Sequence, residues 1–266
     1  MCVKHVPDAA GDRRIEDGRV VRGEDDVLNE LDEYAIEEAV SLVEERGGEV
    51  IAVTMGPEDA EESVFRALQM GADKGLVISD PALEGSDAPT TAQVLASAVR
   101  MIEQDGPVDA VFTGMASLDG MTSMLAPAMA AVLDWPLLDL AQSVTVEGEG
   151  PWNITVTRNA DGWEDTLSAR TPAIVSVTDQ INEPRFPNFK TMRAARQKPL
   201  DQVSLSELEE VGLEMPTGPD AGASTMVIDA EEVTRGDGVI VTDSGDGGKK
   251  LADYLESFLV ETGGAK

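Results

Sequence analysis

The sequence has few of the residues on which metal, redox and hydrolytic chemistry depends. It contains one cysteine, Cys2, and one histidine, His5, among 266 residues. A single cysteine cannot supply a disulfide framework or a Cys-rich zinc or iron–sulfur site. No G-x-S-x-G elbow presents a nucleophile with which His5 could act. We therefore expect no metal site and no catalytic residues, and any redox chemistry must use an organic cofactor.

Basic residues are also scarce. Lys and Arg number 20 against 51 Asp and Glu, which gives a formal net charge of −31. Such a chain is a poor partner for nucleic acid or an anionic membrane, because phosphates attract Lys and Arg. Self-repulsion on this scale is tolerable where salt screens charges over a few ångströms. We expect a halophilic protein, and the alternative is an ordinary acidic one.

Long apolar runs are missing. The longest, at residues 124–133, is interrupted by Pro127 and is too short to cross a bilayer, and the N-terminus does not read as a signal peptide. We therefore expect a cytoplasmic protein without direct membrane insertion. Because Met1 stands inside the predicted first strand, we also expect the native strand to begin upstream.

Short apolar runs alternate with amphipathic stretches in the first two-thirds of the chain, a pattern typical of βαβ units. Apolar residues make up 42% of the chain, enough for a globular core. The pattern predicts strands at residues 2–6, 49–55, 75–79 and 109–114, and helices at residues 29–46 and 57–70.

Residues 137–178 are rich in β-forming side chains and predict an antiparallel extension that includes residues 172–179. The fold class is therefore α/β: a doubly wound, mostly parallel, Rossmann-like sheet with this extension and a C-terminal arm. We expect a nucleotide-binding α/β domain at residues 1–200. The arm, residues 201–266, should be polar and poor in helix before its final helix.

The loop GMASLDGMTSMLAP begins at Gly114, leaves a predicted strand and enters a helix. Ligands bind at this place in open α/β sheets, and the free N–H groups of a helix start favour a phosphate. Hydroxyl groups of Ser117, Thr122 and Ser123 could add donors. The alternative is an ordinary connection between a strand and a helix.

The basic segment, residues 182–199, carries five of the 20 basic residues and one of the 51 acids. It also holds Phe186 and Phe189 near two prolines. Cationic and aromatic side chains together predict a docking loop. The alternative is a connector whose arginines pair with neighbouring carboxylates.

Six motifs, in order from residue 2 to about residue 200, resemble the beta subunit of electron transfer flavoprotein, in its AMP-containing, non-bifurcating form. They are VKHVPD, LNELDEYAIEEAV, VTMGPEDAEESVFRALQMGAD, GMASLDG, LDWP and INEPRFPNFKTMRAARQKP. The resemblance implies an electron carrier and not an enzyme. Its alpha subunit would hold most of an FAD, and the beta subunit a structural AMP. Electrons would pass from flavin dehydrogenases, such as the acyl-CoA dehydrogenases of fatty acid oxidation, to a membrane quinone reductase.

The resemblance also implies functions for individual residues. The cofactor-binding positions would be Cys2, Asn29, Glu30, Leu31, Asp32, Met55, Gly114, Asp119, Gly120, Met121, Thr122, Ser123, Met124 and Leu125. The partner-docking positions would be Pro184, Arg185, Phe186, Phe189, Lys190 and Arg193, with Phe189 as the anchor. The arm at residues 201–266 would pack on the alpha subunit. Met115 and Ala116 replace a Lys-Gln pair of many relatives, so backbone groups would have to bind more of the phosphate.

Two alternatives remain. A bifurcating homologue would carry a second FAD in place of AMP, and SDAPTT at residues 86–91 partly resembles a stretch of such proteins. A free-standing nucleotide-binding protein, similar to stress proteins of the same general fold, would need neither an alpha subunit nor a docking loop.

Overall fold

The computed structural model describes residues 1–11, 14–214 and 240–261, with side chains of the last helix described as far as Ser257. These residues form two compact units, the first within residues 1–214 and the second within residues 240–261. The helices are α1 (Glu30–Arg46), α2 (Glu61–Met70), α3 (Ala88–Ile102), α4 (Leu125–Leu133), α5 (Phe189–Ala195), α6 (Leu205–Glu210) and α7 (Gly247–Glu261). The strands are β1 (His5–Pro7), β2 (Ile15–Glu16), β3 (Arg19–Val20), β4 (Asp26–Leu28), β5 (Ile51–Met55), β6 (Lys74–Ile78), β7 (Ala110–Gly114), β8 (Leu137–Ala141), β9 (Ser143–Glu147), β10 (Asn153–Ala160), β11 (Trp163–Arg170), β12 (Ala173–Val177) and β13 (Leu200–Val203).

A parallel sheet occupies the centre of the first unit. One half has the order β13-β6-β5 and the other has the order β7-β12-β8, with parallel pairing throughout. The N-terminal residues join the halves: Val3 donates its N–H to Val53 of β5, and Cys2 donates to Phe112 of β7, each over 2.9 Å. The first residues therefore lie between β5 and β7, in the middle of a continuous sheet.

Helices cover both faces of this sheet, as the α/β prediction requires. One buried cluster contains apolar residues of α1 and α2, among them Ile36 and Leu68. The other contains residues of α3, α4 and α6, among them Leu95 and Met129. Because each face has its own core, the sheet strands are buried on both sides, which explains their nearly continuous apolar sequences.

The antiparallel extension is smaller than predicted. Strands β9, β10 and β11 form it, with β10 in the middle. The predicted segment at residues 172–179 was wrongly assigned to it, because β12 pairs in parallel with both β7 and β8. All five residues of β12 are buried, and this uninterrupted burial distinguishes it from the alternating strands of the extension.

Helices α1 and α2 confirm the predicted periodicity, although their starts differ in detail. Asn29 occupies the N-cap position of α1, but its side chain makes no capping hydrogen bond. Pro57 precedes a 3-10 turn at Glu58–Ala60, and α2 begins only after that turn. Helix α2 ends at Met70, as predicted, and the φ of +136° at the following Gly71 is one that residues with a side chain rarely adopt.

Several elements were not anticipated. Helix α3 begins with Asp87 accepting a hydrogen bond from the Thr90 N–H, an N-cap signal visible in the sequence. Beyond Pro199, β13 extends the parallel sheet beside β6, and α6 follows it. Residues 215–239 and 262–266 of the predicted arm lie outside the described residues. Within the described ranges, no helix combines the length and apolar composition needed to cross a membrane.

Candidate functional site

The loop between β7 and α4, residues 115–124, begins where β7 lies against the start of α1. A Cβ atom on Gly114 would stand 2.5 Å from Asp32 Oδ1 and 2.6 Å from the Leu31 carbonyl oxygen. Real Cβ atoms essentially never come so close to other heavy atoms. Only glycine fits here, and its lack of a side chain lets the end of β7 contact the first turn of α1 directly.

Two side chains at the start of α1 fix the course of this loop. Asn29 is fully buried; its Nδ2 donates to the Ala116 carbonyl oxygen (2.9 Å), and its Oδ1 accepts from the Leu118 N–H (3.0 Å). Asp32 Oδ2 accepts from the Lys4 N–H at 2.8 Å. Burial raises the pKa of Asp32 to about 7, although backbone N–H groups of Lys4 and Gly114 oppose the shift.

Asp119 attaches the middle of the loop to Lys4, which directly precedes β1. Its carboxylate pairs with Lys4 Nζ at 2.9 Å and with the Arg22 guanidinium, and its side chain is only 4% exposed. Burial alone would disfavour the charged form, but Lys4 and Arg22 outweigh it and hold the pKa of Asp119 well below its usual range. Asp119 is thus ionised and serves to hold the loop in place.

The remaining loop residues, Gly120–Met124, are exposed. Met121 and Ser123 have positive φ angles of 47° and 51°, so the chain turns sharply just before α4. Helix α4 starts without a side-chain N-cap, which leaves its first N–H groups to other acceptors. Such N–H groups at a helix start can bind a phosphate or another anion.

Other predicted cofactor residues lie around this loop in different environments. Cys2 is buried, and its Sγ lies 4.0 Å from Met129 Sδ. Burial raises the pKa of the Cys2 thiol to about 11, so it is a packing residue and not a thiolate. Met55 ends β5 half-buried, Leu31 is half-buried, and Glu30 is exposed. The exposed predicted residues of the loop are Gly120, Met121, Thr122, Ser123 and Met124.

The basic segment forms a second surface. Phe186 and Phe189 are each 87% exposed. Phe189 opens α5, which begins with a capping box between Asn188 and Thr191. Lys190 is exposed, and so are Arg193 and Arg196. The segment predicted as a docking loop therefore contains a short capped helix, which presents these side chains.

Arg185 behaves differently from the other cations of the segment. Its guanidinium donates to Glu37 (2.8 and 3.0 Å) and to Glu44 (2.7 and 3.0 Å) on α1. Glu44 and Glu37 raise the pKa of Arg185. Arg185 therefore fits the alternative interpretation of the segment, a connector whose arginines pair with neighbouring carboxylates. Among the described residues, no ion pair involves Lys190 or Arg193.

Sequence reasoning missed Lys198. Its Nζ lies 3.1 Å from the Leu68 carbonyl oxygen, 3.3 Å from that of Gly71 and 2.5 Å from that of Ala72. These carbonyls end α2, and a cation there interacts favourably with the helix dipole. A lysine just past a run of other basic residues gives no sequence signal for a partner 126 positions earlier in the chain.

The fold and its loops define a parallel α/β domain of the kind that binds ligands at the carboxyl ends of its strands. Comparison with known proteins identifies the family. The model of the electron transfer flavoprotein domain matches residues 17–208, which include both the β7–α4 loop and the basic segment.

Relatives agree with this match. The chain is 36% identical over 264 residues to electron transfer flavoprotein subunit beta of Mycobacterium leprae, covering 96% of each chain. It is 34% identical over 220 residues to Protein FixA of Azotobacter vinelandii, covering 80% of this chain and 78% of that one. The beta subunit of Bacillus subtilis is 32% identical over 197 residues, 73% of this chain and 74% of its own. The chain belongs to the electron transfer flavoprotein family, among its beta subunits.

Proposed function

We propose that this chain pairs with an alpha subunit and carries electrons from flavin dehydrogenases to a membrane quinone reductase. Family membership supports this, since two of the three relatives described above are named as electron transfer flavoprotein beta subunits. The chain itself is then not an enzyme: the electrons would be carried by an FAD held mainly by the alpha subunit, and the protein supplies binding and orientation. We place the complex in the cytoplasm, with fatty acid oxidation as its setting.

We propose further that the β7–α4 loop encloses AMP. The exposed residues Gly120–Met124 and the uncapped start of α4 offer backbone N–H groups to a phosphate. Asn29, Asp32 and Asp119 then contribute to the nucleotide site indirectly, because their polar groups hold the loop in shape. With Met115 and Ala116 unable to supply charged contacts, these N–H groups would bind most of the phosphate.

The observation that carries the docking function is the composition of the basic segment. Phe186 and Phe189 are almost fully exposed in the same segment as Lys190 and Arg193, which form no ion pair among the described residues, in a chain of net charge −31. Clustered exposed apolar side chains mark interaction sites, and aromatic and Arg residues dominate binding energy at interfaces. We propose that Phe189 is the anchor and that Pro184 and Arg185 shape its approach.

We also propose that the C-terminal residues pack on the alpha subunit. In α7, the apolar side chains of Leu251, Tyr254 and Leu255 share one face at helical spacing. A single amphipathic helix of this kind is stable when its apolar face is covered.

The bifurcating alternative receives less support from the site. Two polar side chains at residues 86–91 are already used in local capping bonds. Ser86 Oγ donates to the Leu83 carbonyl oxygen, and Asp87 Oδ1 accepts from the Thr90 N–H. A free-standing nucleotide-binding protein would have no use for the exposed phenylalanines.

Nucleotide content separates these functions. Co-expressed with its alpha subunit, the chain should yield AMP and FAD at about one each per heterodimer after acid extraction and chromatography. Two FAD without AMP would establish the bifurcating form. A stable homodimer that does not bind the alpha subunit in size-exclusion chromatography would favour the free-standing protein.

The net charge of −31 predicts a strong dependence of folding on salt. The Debye screening length shortens from ~10 Å at 0.1 M salt to ~3 Å at 1 M, which removes most repulsion between exposed carboxylates. We expect the melting temperature to rise steeply between these concentrations of sodium chloride. A flat curve would show that the acidic surface is not an adaptation to salt.

A further inference from the structure

The first residues of the basic segment are attached along one face of α1. Asn182 Nδ2 donates to the Tyr34 carbonyl oxygen (3.1 Å) and to Glu38 (3.2 Å). Arg185 then donates its backbone N–H to Glu37 Oε2 at 3.0 Å, in addition to its guanidinium bonds. The partners on α1 stand at helical spacing, so this part of the segment follows the helix surface for three turns.

Beyond Arg185 the attachment stops and then resumes. Phe186 and Phe189 project into solvent, whereas Ala195, at the end of α5, is buried. Lys198 then binds the carbonyl groups at the end of α2. The exposed phenylalanines are thus held between one attachment on α1 and a second on α2.

Arg185 is the strongest attachment on the α1 side. Its three guanidinium nitrogens donate to Glu37, Glu44 and Ser41 Oγ, the last at 3.3 Å. The Glu37 side chain is only 12% exposed. Paired bonds between guanidinium and carboxylate fix both distance and orientation, and a partly buried pair is less screened by salt than an exposed one.

We propose that Arg185 is a positioning residue, which holds Phe186 and Phe189 in the orientation that the dehydrogenase binds. The proposal rests on the docking function proposed above. It reassigns Arg185 from partner contact to internal support. A direct contact would require the guanidinium to leave Glu37 and Glu44, and two carboxylates of α1 would remain without their cation.

The expected consequence concerns affinity and not the maximal rate. Without Arg185 the segment would sample other conformations, and only the fraction in the binding orientation could dock. An apparent dissociation constant rises in inverse proportion to that fraction. If the fraction falls to about one tenth, the half-saturating concentration of flavoprotein rises about tenfold, while the rate at saturation is unchanged.

The test compares Arg185→Met with Arg66→Met in the complete heterodimer. Arg66 also pairs with a glutamate of α1, Glu33, at 3.3 Å and has similar exposure, and its side-chain hydrogen bond goes to Glu33 and not to the basic segment. Two quantities are measured: amide hydrogen exchange in α5, and steady-state reduction by the flavin dehydrogenase. Arg185→Met should speed exchange in α5 and raise the half-saturating concentration, each about tenfold. Arg66→Met should change neither.

Each outcome decides a different point. Unchanged exchange in α5 with weaker docking would overturn the proposal and make Arg185 a contact residue. Faster exchange with unchanged docking would overturn it as well, and wild-type behaviour of Phe189→Ala in the same assay would then show that the docking function itself is wrong. Arg185→Lys keeps the charge without the paired geometry and should recover only part of the affinity. Should Arg185→Met fail to assemble, Glu44→Gln, at the exposed end of the network, must produce the same changes at smaller amplitude.

Discussion

Phe189→Ala is expected to slow reduction of the heterodimer by its flavin dehydrogenase by about tenfold or more. The phenyl ring is 87% exposed, so its removal costs the folded chain almost no packing. Buried in a partner, the same ring would act as a hot spot, and losing ~1.4 kcal/mol or more of binding free energy corresponds to at least a tenfold loss of affinity. AMP content, FAD content and assembly with the alpha subunit should stay at wild-type values.

Two variants sharpen this prediction. Trp163→Ala removes another exposed aromatic, 74% exposed, at the start of β11, and should leave reduction by the dehydrogenase unchanged. Lys190→Ala should slow association mainly at low salt, because long-range attraction is screened at high salt whereas an apolar contact is not. Reduction of Phe189→Ala at wild-type speed would show that Phe189 is not the docking anchor, whereas loss of the alpha subunit would place Phe189 at the subunit interface instead.

The sequence predicted those parts of the fold that depend on local pattern. The periodicity of α1 and α2 and the apolar runs of β5, β6 and β7 all correspond to observed elements. A buried strand does not reveal its neighbours, however, so β12 was grouped with the strands that precede it in the chain although its partners are β7 and β8. Helix α5 is too short to show a period and is defined by its capping box.

In the candidate site, too, some features follow from the local sequence pattern and others depend on the tertiary arrangement. The position of the β7–α4 loop at the end of a strand could be predicted, because it follows from the order of elements. The hydrogen-bond partners of Asn29 could not be predicted. A side chain at the N-cap position usually bonds to its own helix, yet the partners of Asn29 are Ala116 and Leu118, 87 and 89 residues away. Likewise the pairing of Arg185 with Glu37 and Glu44 depends on the tertiary arrangement, since every acidic residue of so acidic a chain is an equal candidate.

The contact between β7 and α1 provides the other prediction of large effect. Gly114→Ala places a methyl group against the Leu31 carbonyl oxygen and Asp32, and the backbone of a helix start cannot move aside as a flexible side chain could. Overpacking of this kind typically costs ~1–3 kcal/mol. In a chain of this size each kcal/mol lowers the melting temperature by roughly 2–4 °C, so we expect a decrease of about 2–12 °C.

The same substitution should also reduce the amount of AMP that purifies with the heterodimer, because the β7–α4 loop starts directly after Gly114 and would be displaced from Asn29 and Asp32. Gly106→Ala is the matched control: its added Cβ would meet nothing within 4 Å, so it should leave both melting temperature and AMP content unchanged. Differential scanning fluorimetry and nucleotide extraction measure the two effects separately. If the Gly114→Ala protein has a higher melting temperature than predicted but lacks AMP, the substitution disturbs the loop and not the whole fold. Wild-type values of both would show that the close approach of β7 to α1 is not needed to shape the site.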